Sequence, residues 1–261
     1  MIFILLFLYS CKQDKTADQD KLTSNDYYEL AWKYLEQQDN LAAYKNFILA
    51  KNEFQRKKDS LGVGKSLMNA AIIQINSADY LGSEENNILA LKFFGKAQNN
   101  IYLVSVYNSL ALSRNNLGDF TSALYWYEKA LSASTNDDES FLIKNNTAIA
   151  FSKLKKYDEG IALLKSIRID KPEDAFNIKS KVIDNLAYIQ FLKNSNYNAE
   201  TEFYKALEIR TKGNDLVGQN ASHSHLADFF VKTNKEKALF HAKEMLRIAS
   251  ELTIQWIKQK R

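Results

Sequence analysis

The chain has 261 residues, of which 46% are hydrophobic and 25% are charged, and it contains only 8 glycines, 1 proline and 1 cysteine. This apolar fraction excludes a disordered chain, and the shortage of Gly and Pro argues against an all-β fold and against a Gly-rich phosphate-binding enzyme. The net charge of +4 comes without a basic run, so nucleic acid is not an expected partner, and one cysteine excludes a disulfide framework or a multi-cysteine metal site.

The first ten residues are uncharged and almost entirely apolar. Ten helical residues span about 15 Å, roughly half of a bilayer core, so this segment is too short for a membrane-spanning helix. Its length and composition fit the apolar core of a secretory signal peptide.

Cys11 directly follows the tripeptide Leu-Tyr-Ser. This sequence resembles the bacterial lipobox, with Leu three residues before the cysteine and a small residue just before it. The resemblance implies that residues 1–10 are a signal peptide, that Cys11 carries lipid, and that the polar residues 11–24 form a tether. We therefore expect lipid anchoring to a membrane of the bacterial cell envelope, facing the periplasm or the surface. The alternative is an apolar N-terminal stub with a free thiol.

The body of the chain repeats itself at intervals of 37 to 40 residues. In each copy, apolar residues at helical spacing surround an alanine, and a second helical pattern, Ala-x3-aromatic-x2-Ala, follows most copies after a short polar turn. The first set, which we call the marker alanines, is Ala31, Ala71, Ala111, Ala148, Ala187 and Ala227. The second pattern begins at Ala43, Ala90, Ala123 and Ala199, with a weaker copy at Gly160.

These positions resemble the tetratricopeptide repeat (TPR), in which small residues let two antiparallel helices approach and aromatics fill the gaps. The resemblance implies an all-α fold, a right-handed superhelical solenoid of about six helix-turn-helix repeats over residues 25–261. The long period resembles that of kinesin light chains. Pro172 falls at a repeat junction, and the turn from Asp79 to Asn87 is expected to be about seven residues longer than the turn after Asp119.

Residues 62–66, Gly-Val-Gly-Lys-Ser, look like the end of a phosphate-binding P-loop. The full motif needs a glycine where Asp59 stands and a strand before it, whereas residues 46–58 have a helical pattern. The same glycine-to-serine spacing recurs at Gly218 and Ser222. The sequence therefore favours a repeated linker-to-helix junction over a nucleotide site.

The other polar residues indicate neither a metal centre nor catalysis. His223 and His225 lie two residues apart, about 200° around a helix, so they cannot chelate one ion. The acidic runs 84–85 and 137–139 are expected in solvated loops, and no nucleophile, base and orienting group can be assembled. We expect no metal, no cofactor and no enzymatic activity; an enzyme with a site in the groove remains the alternative.

The TPR resemblance implies a groove lined by the first helix of each repeat, chiefly by the residues three before, one after and four after each marker alanine. Apolar side chains mixed with asparagines suit an extended peptide, because amides bond its backbone and apolar shelves take its side chains. The predicted peptide-binding residues are Tyr28, Trp32, Asn108, Leu112, Asn115, Asn145, Ile149, Asp184 and Tyr188. The alternative is incidental asparagines in an Asn-rich chain, and a structural role for Asn69, Asn146 and Asn185, which share one repeat position.

Two stretches, 79–92 and 206–227, resemble the extracytoplasmic sensor portion of TPR-containing histidine kinases and regulators of Bacteroidetes. The first hypothesis for function is a membrane-tethered, non-catalytic scaffold or adaptor that binds a protein or peptide. The alternative is the sensor module of such a signalling system without its output domain. In either case the apolar end of the last helix, at Trp256 and Ile257, is expected to leave an edge that a partner could cover.

Overall fold

The computed structural model describes residues 22–97, 101–135, 137–168 and 177–259, and within these ranges the chain forms helices and short turns without a strand. An odd-numbered helix and the even-numbered helix after it form one repeat, which gives six repeats. The helices are α1 (Ser24–Glu36), α2 (Asn40–Arg56), α3 (Ser60–Asn76), α4 (Tyr80–Ala97), α5 (Leu103–Asn116), α6 (Phe120–Ala133), α7 (Asp137–Lys153), α8 (Tyr157–Lys165), α9 (Asn177–Lys193), α10 (Glu200–Lys212), α11 (Leu216–Phe230) and α12 (Lys235–Gln259).

Many of the turns between helices share one local structure. A residue with positive φ, such as Lys58 (59°) or Gly118 (81°), stands directly before an aspartate. The aspartate then accepts a hydrogen bond from the backbone N–H three residues later, as Asp59 does from Gly62 at 2.9 Å. This cap satisfies an N–H group that the first helical turn leaves unpaired, so it fixes where the next helix begins. The same cap recurs at Asp39, Asp79, Asp119 and Asp215.

Small residues hold the two helices of each repeat close together. All marker alanines are buried except Ala227, which is partly exposed. The aromatic residues of the second helices, Phe47, Phe94, Tyr127 and Phe203, are fully buried. The predicted alternation of small and aromatic core positions is confirmed, and with it the all-α helical repeat fold.

The odd-numbered helices form a continuous inner row. From α3 onward, each odd-numbered helix contacts the next odd-numbered helix as well as its neighbours in the chain. In a curved stack of repeats, the helices on the inside of the curve approach one another. We call the surface of α1, α3, α5, α7, α9 and α11 that follows this row the inner face.

The Gly-Val-Gly-Lys-Ser segment lies within α3, not in a loop after a strand. A Cβ atom added to Gly64 would lie 2.7 Å from Cε1 of Phe94, and one added to Gly62 would overlap the ring of Phe54. These glycines therefore make room for two core aromatics of the neighbouring even-numbered helices, which confirms that the segment is a structural junction.

Replacement of Gly64 by Ala should lower the free energy of unfolding by about 1 kcal/mol, because overpacking against Phe94 outweighs the better helix propensity of Ala. Gly95 of α4 is the matched control, since a Cβ there would meet nothing within 4 Å. Gly95→Ala should therefore stabilise the chain slightly. Urea unfolding measures both effects, and a Gly64→Ala variant that is as stable as Gly95→Ala would contradict this packing.

The structure corrects two predictions about loops. The turn after Asp79 is not long, because Asp79 caps α4 directly and the helix begins at Tyr80. The acidic run 84–85 therefore lies on α4, and the run 137–139 lies on α7. Both helices carry polar residues such as Asn, Glu and Ser near their beginnings. Because these residue types are also common in loops, the sequence pattern predicts a loop where the structure has a helix.

Some predictions concern parts of the chain outside the described residues. Cys11, with residues 1–21, and Pro172 lie there, as do the side chains of Trp256 and Ile257. Among the residues that the structure does describe, no helix has both the length and the apolar character needed to span a bilayer.

Candidate functional site

Four predicted groove residues, together with Ile72 at the same repeat position, form an apolar line along the inner face. Each stands one position after a marker alanine, so each occupies the same place on its helix in successive repeats. The exposed fractions of the first two side chains are 43% and 39%, and the next three are partly exposed. The line, which we call the apolar spine, consists of Trp32, Ile72, Leu112, Ile149 and Tyr188.

The spine is anchored at its two ends by aromatic contacts. Trp32 meets the buried ring of Phe47 edge-on, with ring centroids 5.9 Å apart. Tyr188 stacks on the ring of His225 at 3.9 Å, and its hydroxyl donates a 2.6 Å hydrogen bond to Asp228 of the last repeat. Burial and this carboxylate raise the pKa of Tyr188, so its hydroxyl stays protonated. In the sixth repeat the spine position holds Asp228, and the apolar line ends there.

Side-chain hydrogen bonds join successive odd-numbered helices at one repeat position. In each of these bonds, the side chain three residues before a marker alanine accepts the hydrogen bond. The donor is the side chain two residues before the marker alanine of the next repeat. Asn69 Nδ2 donates to the hydroxyl of Tyr28 at 2.7 Å, and Asn185 Nδ2 donates to Asn145 Oδ1 at 2.8 Å. We call these bonds the inter-repeat ladder. They give Asn69 and Asn185 the structural role that was the alternative for their position.

The third bond of the ladder is the centre of a buried ionic cluster. His225 Nδ1 lies 2.9 Å from Asp184 Oδ2, and Arg210 Nη1 donates to the same oxygen at 2.8 Å and to Ser222 Oγ at 2.6 Å. Asp184 is fully buried and Arg210 is 4% exposed. Burial alone would raise the pKa of Asp184, but the bonds from His225 and Arg210 outweigh it and lower that pKa.

These contacts correct the prediction for two groove residues. Asp184 was expected to face a ligand, but its carboxylate is buried and bonded on both oxygens. Asn145 is only 5% exposed, and its amide contacts Asn146 and Asn185. Both residues stabilise the stacking of repeats, because a buried polar group is held where its partners are.

The ladder is interrupted at α5, in the middle of the inner face. Asn108 occupies the acceptor position, yet its Oδ1 atom is buried without a hydrogen-bond partner. Asn115 Oδ1, two helical turns along the same side of α5, is in the same state. Leu112 lies between them, whereas the exposed Asn116 donates to the backbone carbonyl of Leu112. An unpaired buried oxygen costs about 1–3 kcal/mol, so α5 carries two acceptors that a donor would stabilise.

A second polar cluster, which the sequence did not indicate, joins α10, α11 and α12. The Nδ1 atoms of His223 and His241 are 2.9 Å apart, and His241 Nε2 lies 3.1 Å from the hydroxyl of Tyr204. His241 also stacks on Phe230. His223 thus faces α12 while His225 faces α9, which confirms that these two histidines point to different sides.

Much of this network could be predicted from the sequence by comparing polar and aromatic residues that lie one repeat length apart. Asp184 and His225 are 41 residues apart, and Tyr188 and Asp228 are 40 apart. The residue Arg210 has no such signal, since its partners lie at separations of 26 and 12.

Within the described ranges, no group of three or more His, Cys, Asp or Glu side chains could hold a metal ion. Glu84, which the sequence predicts in a solvated loop, pairs instead with Arg114 of α5. That pair links the second and third repeats.

Solved structures match this architecture, whereas no family model and no curated protein matches the sequence. The apo form of RapI is 15% identical with a TM-score of 0.65, over 88% of this chain and 98% of that chain. The Rap conjugation gene regulator of the plasmid pLS20, in complex with the Phr* peptide, is 13% identical with a TM-score of 0.58, over 86% of this chain and 63% of that chain. A tetratricopeptide repeat protein from Parabacteroides merdae is 12% identical with a TM-score of 0.53, over 90% of this chain and 98% of that chain. At these identities the likeness shows the fold: the chain is an all-α helical repeat protein with a TPR-like architecture.

Proposed function

We propose that this protein is a non-catalytic scaffold that binds an extended peptide, or an extended segment of a partner protein, along its inner face. The observation that carries the proposal is the interruption of the inter-repeat ladder at α5. There Asn108 and Asn115 hold unpaired amide oxygens on either side of Leu112. Both side chains are partly exposed, so a half-turn of each amide about χ2 turns its oxygen to the inner face, where the regularly spaced N–H donors of an extended backbone can bond it.

The apolar spine supplies the second part of the recognition. Trp32 and Ile72 keep about two fifths of their surface exposed on the inner face, where a ligand side chain can cover them. Burial of apolar surface contributes about 25 cal/mol per Å², and the amides fix the direction and register of the chain. The likeness to a Rap protein solved with the Phr* peptide is consistent with this use of the fold.

The test selects ligands and then removes the two amides. Peptides selected from a random displayed library on the full chain should bind the wild type, and the double variant Asn108→Ala/Asn115→Ala should bind them about five- to thirtyfold more weakly, because about 1–2 kcal/mol of hydrogen bonding is lost. Fluorescence anisotropy measures the Kd.

Asn116→Ala is the matched control, since Asn116 lies on the same helix but is exposed and bonded to its own backbone. It should bind the peptides as the wild type does. Equal affinity in the double variant and in this control would show that the peptides do not use α5, and would contradict the proposal.

We also propose that the scaffold is tethered to a bacterial membrane through a lipid on Cys11, as the lipobox resemblance implies. In a bacterial host, radiolabelled fatty acid should label the wild-type chain and should not label Cys11→Ser. Equal labelling of the two chains would exclude this anchor.

A further inference from the structure

The even-numbered helix α6 shows which of its residues meet the next repeat. Leu124 and Leu131 stand five and twelve residues after the capping residue, Asp119. Both leucines line a small cavity together with Thr147 and Phe151 of α7, and both are partly buried. These two positions of an even-numbered helix therefore face the repeat that is stacked on it.

Helix α12 has leucines at the same two positions, but there they are exposed. Asn234 caps α12, since its Oδ1 atom accepts a hydrogen bond from the backbone N–H of Lys237 at 3.0 Å. Leu239 and Leu246 stand five and twelve residues after this cap. Their exposed fractions are 57% and 70%, because α12 packs chiefly on α11 and no described helix follows it. With the exposed Ile254, these leucines form an apolar stacking face, which we call the α12 stripe.

The opposite end of the stack, at α1, is polar where the α12 stripe is apolar. In α3, Asn69 and Ile73 are buried against the first repeat. The corresponding residues of α1, one repeat length earlier, are Glu29 and Lys33, and both are exposed. Burial of these two charges against leucines would be costly. The first repeat of another copy is therefore a poor partner for the α12 stripe.

A second copy of α12 is a better match, because the stripe is nearly symmetric along the helix. Leu246 lies almost midway between Leu239 and Ile254. If two α12 helices run antiparallel about a two-fold axis at Leu246, this leucine meets its own copy, and Leu239 meets Ile254 of the second copy. Lys243 then lies beside Ser250 of the second copy, and its long side chain can carry the ammonium group to solvent.

The other charges and the size of α12 fit a weak, reversible dimer. Arg247 borders the stripe and is paired within its own helix with Glu244 and Glu251, so it brings no unpaired positive charge to the contact. About half of the 25 residues of α12 lie on its exposed side, which is fewer than the roughly 20–30 residues per partner of a standard interface. Association is therefore expected at micromolar concentrations.

We propose that two copies of this chain associate through their α12 stripes, antiparallel about a two-fold axis at Leu246. The stripe lies on an even-numbered helix at the end of the stack, so each copy keeps its inner face free. This inference is independent of peptide binding, and it brings two inner faces into one assembly.

Sedimentation velocity of the full chain tests the association, with Cys11→Ser in every sample so that no lipid contributes. Between about 1 and 200 µM the parent chain should pass from monomer to dimer, and Leu246→Glu should raise the dissociation constant about tenfold or more. Leu81→Glu is the matched control and should associate as the parent does, because Leu81 is 68% exposed on α4. A parent chain that stays monomeric, an open series of larger oligomers, or equal association of the two variants would overturn the inference.

A charge exchange tests the two-fold axis, where residue 246 meets itself. Leu246→Glu and Leu246→Lys should each remain monomeric alone, because like charges meet at the axis, whereas an equimolar mixture of the two should dimerise. A mixture as monomeric as its two components would show that the copies do not meet at Leu246, and the inference would be wrong.

Discussion

Replacement of Arg210 by Ala should lower the free energy of unfolding by about 3–5 kcal/mol, which is the largest single-residue effect that we expect in this protein. Arg210 and Asp184 are almost completely buried, and the guanidinium bonds both Asp184 and Ser222. Without it, the Asp184 carboxylate would remain in the core with the His225 ring and the Ser222 hydroxyl as its side-chain partners. Urea denaturation followed by circular dichroism measures the loss.

Two further variants separate the buried ion pair from surface charge. Arg247→Ala removes an arginine from exposed pairs on α12 and should leave the free energy of unfolding almost unchanged, because solvent screens these pairs. The double variant Asp184→Leu/Arg210→Met should recover much of the loss, because apolar residues replace both charges. An Arg210→Ala chain as stable as Arg247→Ala would show that the cluster contributes nothing to stacking.

Acidification from pH 7 to pH 4 should remove about 3 kcal/mol of stability through His241 alone. Burial, with further contributions from the nearby His223 and Lys237, lowers the pKa of His241 to about 4. Burial lowers the pKa of His223 as well. The unfolded chain therefore binds more protons than the folded chain between about pH 6.5 and pH 4. The stabilisation is complete above that range and disappears as the pH falls through it.

The geometry of the two rings explains this sensitivity. Their Nδ1 atoms are 2.9 Å apart, so one must donate and the other must accept, and the pair holds a single proton between them. When both rings are protonated, neither Nδ1 can accept and two positive charges face each other. Glu244 offsets part of this repulsion, whereas Lys237 and Arg247 add to it.

His241→Gln isolates this contribution from the carboxylates that titrate in the same range. Unfolding free energies at several pH values between 7 and 4 should fall less steeply for His241→Gln than for the wild type, by about 3 kcal/mol over the whole range. Parallel curves for the two proteins would show that the histidine pair is not the source of the acid sensitivity.

The repeat architecture could be predicted from the sequence because it depends on local spacing. Ala43, Phe47 and Ala50 follow one another at helical intervals, and all three are fully buried. Small residues and aromatics at these intervals favour a pair of closely packed helices. The aspartates at the ends of the turns are also local signals, because a helix cap joins residues only three positions apart.

The residues of the candidate site were less predictable, because the hydrogen bonding of each depends on partners in other repeats. Asn108, Asn145 and Asp184 occupy the same position in three successive repeats. The structure leaves the oxygen of the first unpaired and buries the other two in bonds to the next repeat. Nothing within one repeat distinguishes these outcomes, since each depends on the side chain about 40 residues later.

The asparagines and carboxylates of the inner face therefore have two different roles. Where the ladder is complete, as at Tyr28 and Asn69, polar groups hold repeats together. At α5 the ladder is open, and Asn108 and Asn115 have oxygens without partners beside Leu112. This difference predicts that variants of the ladder change stability first, while variants of α5 change ligand affinity first.

Site-specific photo-crosslinking tests the central claim most directly. A photoreactive benzoylphenylalanine is placed at Ile72 on the apolar spine in one chain and at Leu81 on α4 in another, since both side chains are exposed and lie on neighbouring helices. A library-selected peptide should crosslink strongly at position 72 and weakly at position 81, and Asn108→Ala/Asn115→Ala should reduce the crosslink at 72. Equal crosslinking at the two positions, or crosslinking at 72 that the asparagine variants leave unchanged, would contradict peptide binding along the inner face at α5.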